Sequence, residues 1–574
     1  MMETTNLSKI RRDKMLNTIS EIKKTITDEK TLTNLSMIEN ELTKKKYGLI
    51  WEEHEERVDK ELENQIPTFE EIKDKEIVSN PNEKFNFLLE GDNLHSLYLL
   101  EKTHENRIDV IIIDPPYNTG GKDFIYNDTF IDAVDSFRHS KWLSFMSRRL
   151  TLAKKLLKDS GVIFINIDDN EHSQLKLLCD NIFGEENFIT SFPWHNRTSM
   201  QNDTDLSINH EYILTYAKKR RYIERRLKIT NKNRWFDIKE FAFQPMPADK
   251  SKFSNPDNDP RGIWKADPFD APAIRPNLTY KIVNPNTGET YLPPKGRHWR
   301  TEQAKYEALL KDNRIVFGKN GKSKPQLKVF YDEVSEKGQV RNSWLDSEEY
   351  GTSTMAKKEL LDILNDSNAE NIFSTPKPVS LYKKLLEMSI FPNVKNPIIL
   401  DFFAGSGTTG QAVLEYNKEF DKNAKFILCT NNESNICEEI TFKRIARIIN
   451  GYTNSKNKHI IGLSSNLKYY RCTYIPRVNT ETENLHNNLL INIKNLIQLE
   501  NGIEIDDNKI RVYLNEDELD RFSTNEKELE ICEKIYISSD ILLTSEQENI
   551  FENNNIEVYI IPEYYFEDEI MEVM

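Results

Sequence analysis

Residues 108–121 read IDVIIIDPPYNTGG. A short run of β-branched residues bounded by turn formers predicts a buried strand. Two consecutive prolines cannot donate to a β-ladder, so the strand ends at Asp114 and the chain beyond it is stiff. The strand's mouth thus presents four things in a row: the Asp114 carboxylate, the fixed carbonyl of Pro115, the rigid Pro116 and the ring face of Tyr117. An amino group on a planar ring needs both protons engaged before its lone pair can turn toward an electrophile. Asp114 and the Pro115 carbonyl supply two acceptors for that purpose, and Tyr117 a face for the ring.

On either side of this stretch the sequence alternates between strands and helices. FNFLLE (85–90) reads as a strand followed by the helix HSLYLLEKTH. A long amphipathic helix runs from residue 136 to a stop at Ser160–Gly161, then come the strand GVIFINID (161–168), the helix HSQLKLLCDNIF and the strand HEYILTYAK (210–218). The alternation predicts a doubly wound, mainly parallel α/β sheet. It resumes at residues 396–416, NPIILDFFAGSGTTGQAVLEY, read as strand, glycine loop and helix, followed by the strand KFILCTN (425–431).

The loop DFFAGSGTTG (401–410) is the second site. Gly405 and Gly407 let the backbone approach a ligand, and a helix starting at Thr408 offers free N–H donors. A single Gly-x-Gly comes after the acid, so the triple-glycine dinucleotide fingerprint is absent. The next strand runs into Glu433, which either holds ribose hydroxyls or is a solvated surface acid. Asp92 in EGDN either reaches the same ligand or caps the helix behind it. His195 and His210 are given no role.

The chain has 574 residues and a net charge of −15. Residues 217–345 carry 28 Lys and Arg against 15 Asp and Glu, and residues 453–574 carry 11 against 24. One basic segment therefore sits inside an acidic chain. Such a segment attracts phosphates. It is turn-rich and interleaved with Trp235, Trp264, Tyr280, Trp299 and Phe317; Arg261, Arg297 and Arg300 lie in turns and are candidates for guanine or phosphate contacts. The five cysteines form no C-x-x-C pair, which argues against zinc ribbons and disulfide frameworks. No run of 18 apolar residues and no signal-peptide core is present, so a cytoplasmic protein with no membrane span is expected. No metal cluster is evident. The chain divides into five regions: a helical stretch 1–66, a first core half 67–216, a basic insert 217–350, a second core half 351–452 and an acidic C-terminal domain 453–574 with its own α+β content, a possible surface for dimer or partner docking.

D-P-P-Y (114–117) and F-x-G-x-G (403–407) together resemble the S-adenosylmethionine-dependent amino methyltransferases of DNA. Their order, tetrapeptide first, basic insert next and glycine loop last, is similar to the β class, a circular permutation of one sheet. KYGLIWEEHEE (46–56), NFLLEGDNLHSLYLL, DPPYNTGGKDFIYND, SINHEYILTYAK, FSTPKPVSLYKKLL and SNLKYYRCTYIP (465–476) resemble Mod subunits of type III restriction–modification systems. The resemblance implies site-specific methylation of adenine N6 in double-stranded DNA by base flipping, with the insert as target-recognition domain. It implies catalysis by Asp114, Pro115, Pro116 and Tyr117. It assigns Asp401, Phe403, Ala404, Gly405, Gly407, Thr408, Glu433, Thr375, Lys377 and Asp92 to S-adenosylmethionine, Thr375 and Lys377 at the methionine end with the glycine loop, and no metal. It further implies a homodimer and a Res helicase–nuclease partner, since no Walker A motif is present here. An orphan adenine or cytosine-N4 methyltransferase, a protein-glutamine or RNA methyltransferase and an idle DNA-binding subunit are the other readings.

Overall fold

A computed structural model describes the chain apart from residues 1–6, 44–50, 52–53, 55, 59–60, 62–64, 122–123, 127–128, 131–134, 201–204, 222–239, 245–249, 319, 336–340, 366–372, 374, 477–481 and 562–574. Trp235 and much of the arginine-rich start of the basic insert lie outside the described residues. Two compact units emerge. The larger comprises residues 1–241, 346–382 and 395–574, and the smaller residues 242–345 and 383–394.

The larger unit is organised on a nine-stranded sheet. Its strands, numbered in chain order, are β1 (Gln65–Glu71), β2 (Phe85–Glu90), β3 (Ile108–Ile113), β4 (Leu157–Ile167), β5 (Phe188–Trp194), β6 (Glu211–Ala217), β7 (Ile398–Asp401), β8 (Lys425–Thr430) and β9 (Asn466–Pro476). They lie in the order β1-β9-β2-β8-β7-β3-β4-β6-β5. From β9 to β4 every neighbouring pair is parallel. β6 runs antiparallel to β4 and β5, and β1 antiparallel to β9. Ile111, Ile112 and Ile113 of β3 are wholly buried, as a parallel strand covered on both faces requires. Helices Asn93–His104, Arg138–Leu156 and His172–Phe183 pack side by side; Thr408–Phe420, Lys443–Asn450 and Ser353–Leu364 form a second group.

The structure redraws several boundaries. The helix read to residue 159 stops at Leu156, because Leu157 already pairs with Ile108 of β3. The helical reading of 1–66 holds for Leu7–Thr25 and Glu29–Thr43, but Gln65 and Ile66 belong to β1. Pro67 is tolerated there because β1 is the sheet's edge. Of the residues read as the start of the insert, 217–221 and 240–241 fall in the larger unit. The boundary at 452/453 precedes β9, whose Leu467, Tyr469 and Tyr470 are core residues of the same sheet. Beyond it a three-stranded parallel sheet (Ile510–Tyr513, Lys534–Ser538, Glu557–Ile561) encloses its own cluster of Leu519, Phe522, Ile535, Ile537 and Phe551.

The smaller unit contains short antiparallel pairs and the helices Gln303–Lys311 and Tyr331–Ser335, with a core of Phe269, Ile282, Trp299, Tyr306, Ile315 and Phe317. Among the described residues no helix is long and apolar enough to cross a membrane.

Candidate active site

The chain leaves β3 toward β4 through one helix and leaves β7 toward β8 through another, in opposite directions along the sheet. Open α/β sheets bind ligands in the crevice that such a divergence leaves at the carboxyl ends of the strands. β3 and β7 are parallel neighbours, with Ile399 opposite Val110 and Leu400 opposite Ile111. Asp114 and Asp401, read from distant parts of the sequence, therefore end adjacent strands at one mouth.

The tetrapeptide is fastened from several sides. Asn166 donates to the Ile113 carbonyl at 2.9 Å, and the Trp142 indole donates to the Pro116 carbonyl at 2.7 Å. The Asp114 side chain, 22% exposed, accepts from Lys377 Nζ through Oδ2 at 2.8 Å. Its Oδ1 lies 2.9 Å from the Tyr117 hydroxyl. That hydroxyl also lies 3.1 Å from Glu211 Oε2, and Glu211 Oε1 accepts from Asn196 Nδ2 at 2.7 Å. Lys377 Nζ is 3.6 Å from Glu211 and 5.0 Å from the Tyr117 ring centroid. Burial pushes the Asp114 carboxyl up, against the pull of the Lys377 ammonium. Burial would lower Lys377, but the charges of Asp114 and Glu211 outweigh it and hold the amine protonated. Burial, then the two carboxylates, keeps Tyr117 a neutral phenol.

The glycine loop is held from beneath. Gly405 has φ +47° and Gly407 φ +77°; a Cβ would come within 3.1 Å of the Phe373 ring at Gly405 and of Thr441 Cγ2 at Gly407. Glycine is needed there on both counts. The Asp401 carboxylate is almost wholly buried and accepts from the Phe403 amide at 3.0 Å and the Thr409 hydroxyl at 2.5 Å. Burial pushes its pKa up to about 7, with Asp114 adding to the rise. Ala404 is buried and Phe403 half-buried, the latter 5.9 Å from the Phe145 ring. Thr408 donates to the Lys377 carbonyl at 3.2 Å. Lys377 is thus a physical bridge, its side chain on the tetrapeptide and its backbone on the loop.

Other sequence candidates fall differently. Lys377 sends its ammonium to the tetrapeptide, where two carboxylates face it, and keeps its carbonyl on the glycine loop; Thr375 is exposed. Asp92 caps helix Asn93–His104 through the Leu94 amide at 2.7 Å and pairs with Arg149 at 3.4 Å. Glu433 is exposed on the turn after β8. His195 lies 3.2 Å from the Ser347 hydroxyl and His210 2.9 Å from that of Tyr212.

The sequence reading missed four supports. Glu211 faces the tetrapeptide, and Asn196 donates to Glu211. Arg444, buried, donates to the Ser406 carbonyl and to the side chains of Ser406, Thr408 and Gln411. Arg149, also buried, pairs with Glu56 and donates to Asn93, which itself donates to the Phe402 carbonyl at 2.7 Å. A guanidinium with five fixed donors suits such multi-point bracing. Arg149 and Arg444 carried no signal of their own in the sequence.

In the smaller unit Arg261 is engaged by Asp259 and Asp312, Arg297 by Asp270, and Arg300 lies 3.7 Å from Asp267. Trp264 and Trp299 are core residues. The three arginines thus have local acidic partners, and the exposed cations of the unit include Arg275, Lys281, Lys295, Lys305, Lys311, Lys322 and Lys324. Among the described residues, one group of three acids has the spacing of a metal site, Glu71, Glu76 and Glu504. The Lys468 ammonium sits on all three.

Taken together, the mouth sets the carboxyls of Asp114 and Glu211 around the ammonium of Lys377, beside backbone stripped of side chains and partly open aromatic rings. It suits a planar ring and a ligand that backbone approaches closely.

A family model for DNA methylases of the N6/N4 type matches residues 108–474. The StyLTI Mod subunit, from a type III restriction–modification enzyme of Salmonella typhimurium strain LT2, is 37% identical over 402 residues, which cover 63% of this chain and 57% of that protein. The EcoPI Mod subunit of Escherichia phage P1 is 31% identical over 492 residues, 76% and 73% of the two chains. The type II methyltransferase M.KpnI of Klebsiella pneumoniae is 31% identical over 414 residues, 67% and 90%. The chain spans less than two thirds of the StyLTI subunit's length. With both motifs at one sheet mouth and a match over most of the sheet, the chain belongs to the N6/N4 DNA methylase family.

Proposed function

We propose that this protein methylates adenine N6 in double-stranded DNA with S-adenosylmethionine, as the modification and recognition subunit of a type III restriction–modification system. One observation carries the reading: Asp114 and the glycine loop follow the ends of adjacent parallel strands, and Lys377 bonds the first through its ammonium and the second through its carbonyl. When bound, S-adenosylmethionine supplies a methyl group already activated on a sulfonium. Asp401, Phe403, Ala404, Gly405, Gly407 and Thr408 would hold it, with Asp92, Thr375 and Glu433 at the periphery. The fit rests on the bare backbone of the loop at Gly405 and Gly407 and on the helix that starts at Thr408 behind it.

A base inside a duplex is out of reach, so the target must be flipped out, at a cost of a few kcal/mol offset by phosphate contacts and stacking. Tyr117 stacks the ring. Asp114 and the Pro115 carbonyl accept the two amino protons and turn the lone pair outward. Lys377 keeps Asp114 ionised enough to accept, and Trp142 and Asn166 fix the turn. Positioning supplies most of the rate. The smaller unit, with its exposed lysines, is the target-reading part. A homodimer and a helicase–nuclease partner belong to the same proposal, as does a cytoplasmic location.

Incubation with labelled S-adenosylmethionine and unmethylated plasmid DNA tests it. Label should enter DNA as N6-methyladenine, and Asp114→Ala should abolish transfer while leaving DNA binding intact. Label in cytosine, protein or RNA, or none in the wild type, would reject the adenine reading. Sequencing the host genome for modified bases would give the recognition site.

A further inference from the structure

The hydroxyl of Tyr117 lies within hydrogen-bond distance of two carboxyl groups at once, Asp114 Oδ1 at 2.9 Å and Glu211 Oε2 at 3.1 Å. A phenol has one proton to give. If it donates to Asp114, the contact with Glu211 brings two bare acceptors together unless Glu211 carries a proton. If it donates to Glu211, the same holds for Asp114. With both carboxyls ionised, beside the ammonium of Lys377, the chain of three oxygens is therefore one proton short, and a proton delivered to Asp114 fills it. The Lys377 ammonium stands between the two carboxyls, 2.8 Å from Asp114 and 3.6 Å from Glu211. Asn196 donates to the far oxygen of Glu211 and fixes that carboxyl's orientation.

We propose that Asp114, Tyr117 and Glu211 form a relay that takes up the proton released on methyl transfer and carries it away from the base. The relay rests on the methyltransferase reading. Transfer forms a carbon–nitrogen bond and breaks the methyl–sulfur bond, whose electron pair stays on sulfur. The amino nitrogen is then left with a positive charge and two protons, one of which must leave. It passes to Asp114, whose proton moves to the Tyr117 oxygen as the phenol passes its own to Glu211. No co-reactant is needed, and the charge of the cluster rises by the one proton gained. Glu211 does not touch the base. It is a positioning residue that acts through Tyr117, at the start of β6, where neither sequence motif points. The other groups facing the cluster are Asp168 beyond β4, Tyr382 and, on the neighbouring strand, Asp401.

The test compares wild type with Glu211→Gln and Tyr117→Phe, using tritiated S-adenosylmethionine and unmethylated plasmid DNA. Both variants should lose about a hundredfold in kcat with KM for DNA nearly unchanged. The pH profile of kcat should change shape, and Glu211→Asp should restore part of the rate. A second readout needs no cofactor or DNA: the infrared difference spectrum of wild type minus Glu211→Gln should contain a protonated carboxyl band that titrates with pH. Variants within twofold of wild type at all pH values would overturn the relay. So would equal losses in folding and activity with an unchanged pH profile, or a difference spectrum without the carboxyl band. Failure of the wild type to methylate any DNA would instead reject the parent reading, and the infrared result would still decide whether the shared proton exists.

Discussion

Asp114 and Asp401 end neighbouring parallel strands, yet their surroundings are opposite. After Asp114 come two prolines, which turn the chain away and leave the carboxylate partly open, facing a lysine. After Asp401 comes a glycine loop that folds back over the acid, so its carboxylate points inward and accepts from that loop's own amide and hydroxyl. The same residue type on the same sheet edge is thus a group to be presented in one case and a peg for backbone in the other. The residues just past the strand end, not the acid itself, settle which.

The largest effect that would break this contrast comes from Asp401→Asn. A folded-state pKa raised to about 7 means that the folded protein holds a proton the unfolded chain has lost. Wild-type stability should therefore fall as pH rises from about 4 to about 7 and then level off. The asparagine variant, which can still accept from Phe403, escapes that loss. Its advantage in denaturant melts should grow over the same range to roughly 4 kcal/mol, about three units at 1.36 kcal/mol each. An advantage independent of pH would mean that Asp401 is ionised in place.

Lys377→Met acts on the other aspartate. Without the ammonium, the already raised Asp114 rises further, so the acidic limb of kcat against pH should move up by about 1–3 units. Loss of the pairing should also cost about 3 kcal/mol, since two acids are left facing each other. A profile that keeps its position would show that Lys377 only braces the loop. The smallest effect belongs to Arg261→Ala in the smaller unit. Its ion pairs to Asp259 and Asp312 predict a loss of about 1 kcal/mol in stability and little change in DNA affinity. A large, sequence-selective loss of affinity would restore it as a base reader.

Much of this was legible in the sequence because it is local. β3 and the helix His172–Phe183 declare themselves by apolar pattern, and both strand-end motifs by their turn residues. The edge of the sheet was not legible. β9 carries Lys468, which reads as a solvent-facing residue, but its amine is buried among Glu71, Glu76 and Glu504, contributed by other segments. Pro67 likewise reads as a strand breaker until an edge position is known. Arg261 and Arg297 looked free because their acidic neighbours, two to some fifty positions away, close on them only after folding. Glu211 and Arg444 were silent for the same reason: each acts on a segment remote in sequence.

The order of the strands also has a temporal side. β2 and β3 are translated early but are never neighbours; β7 and β8, from residues 398–430, wedge between them. From Ile113 to Ile398 is about 285 residues, or roughly 15–60 s of synthesis at ordinary ribosomal speeds. For that interval the growing polypeptide carries the isoleucines of β3 with one edge unmet, a stretch that a chaperone would have every physical reason to occupy.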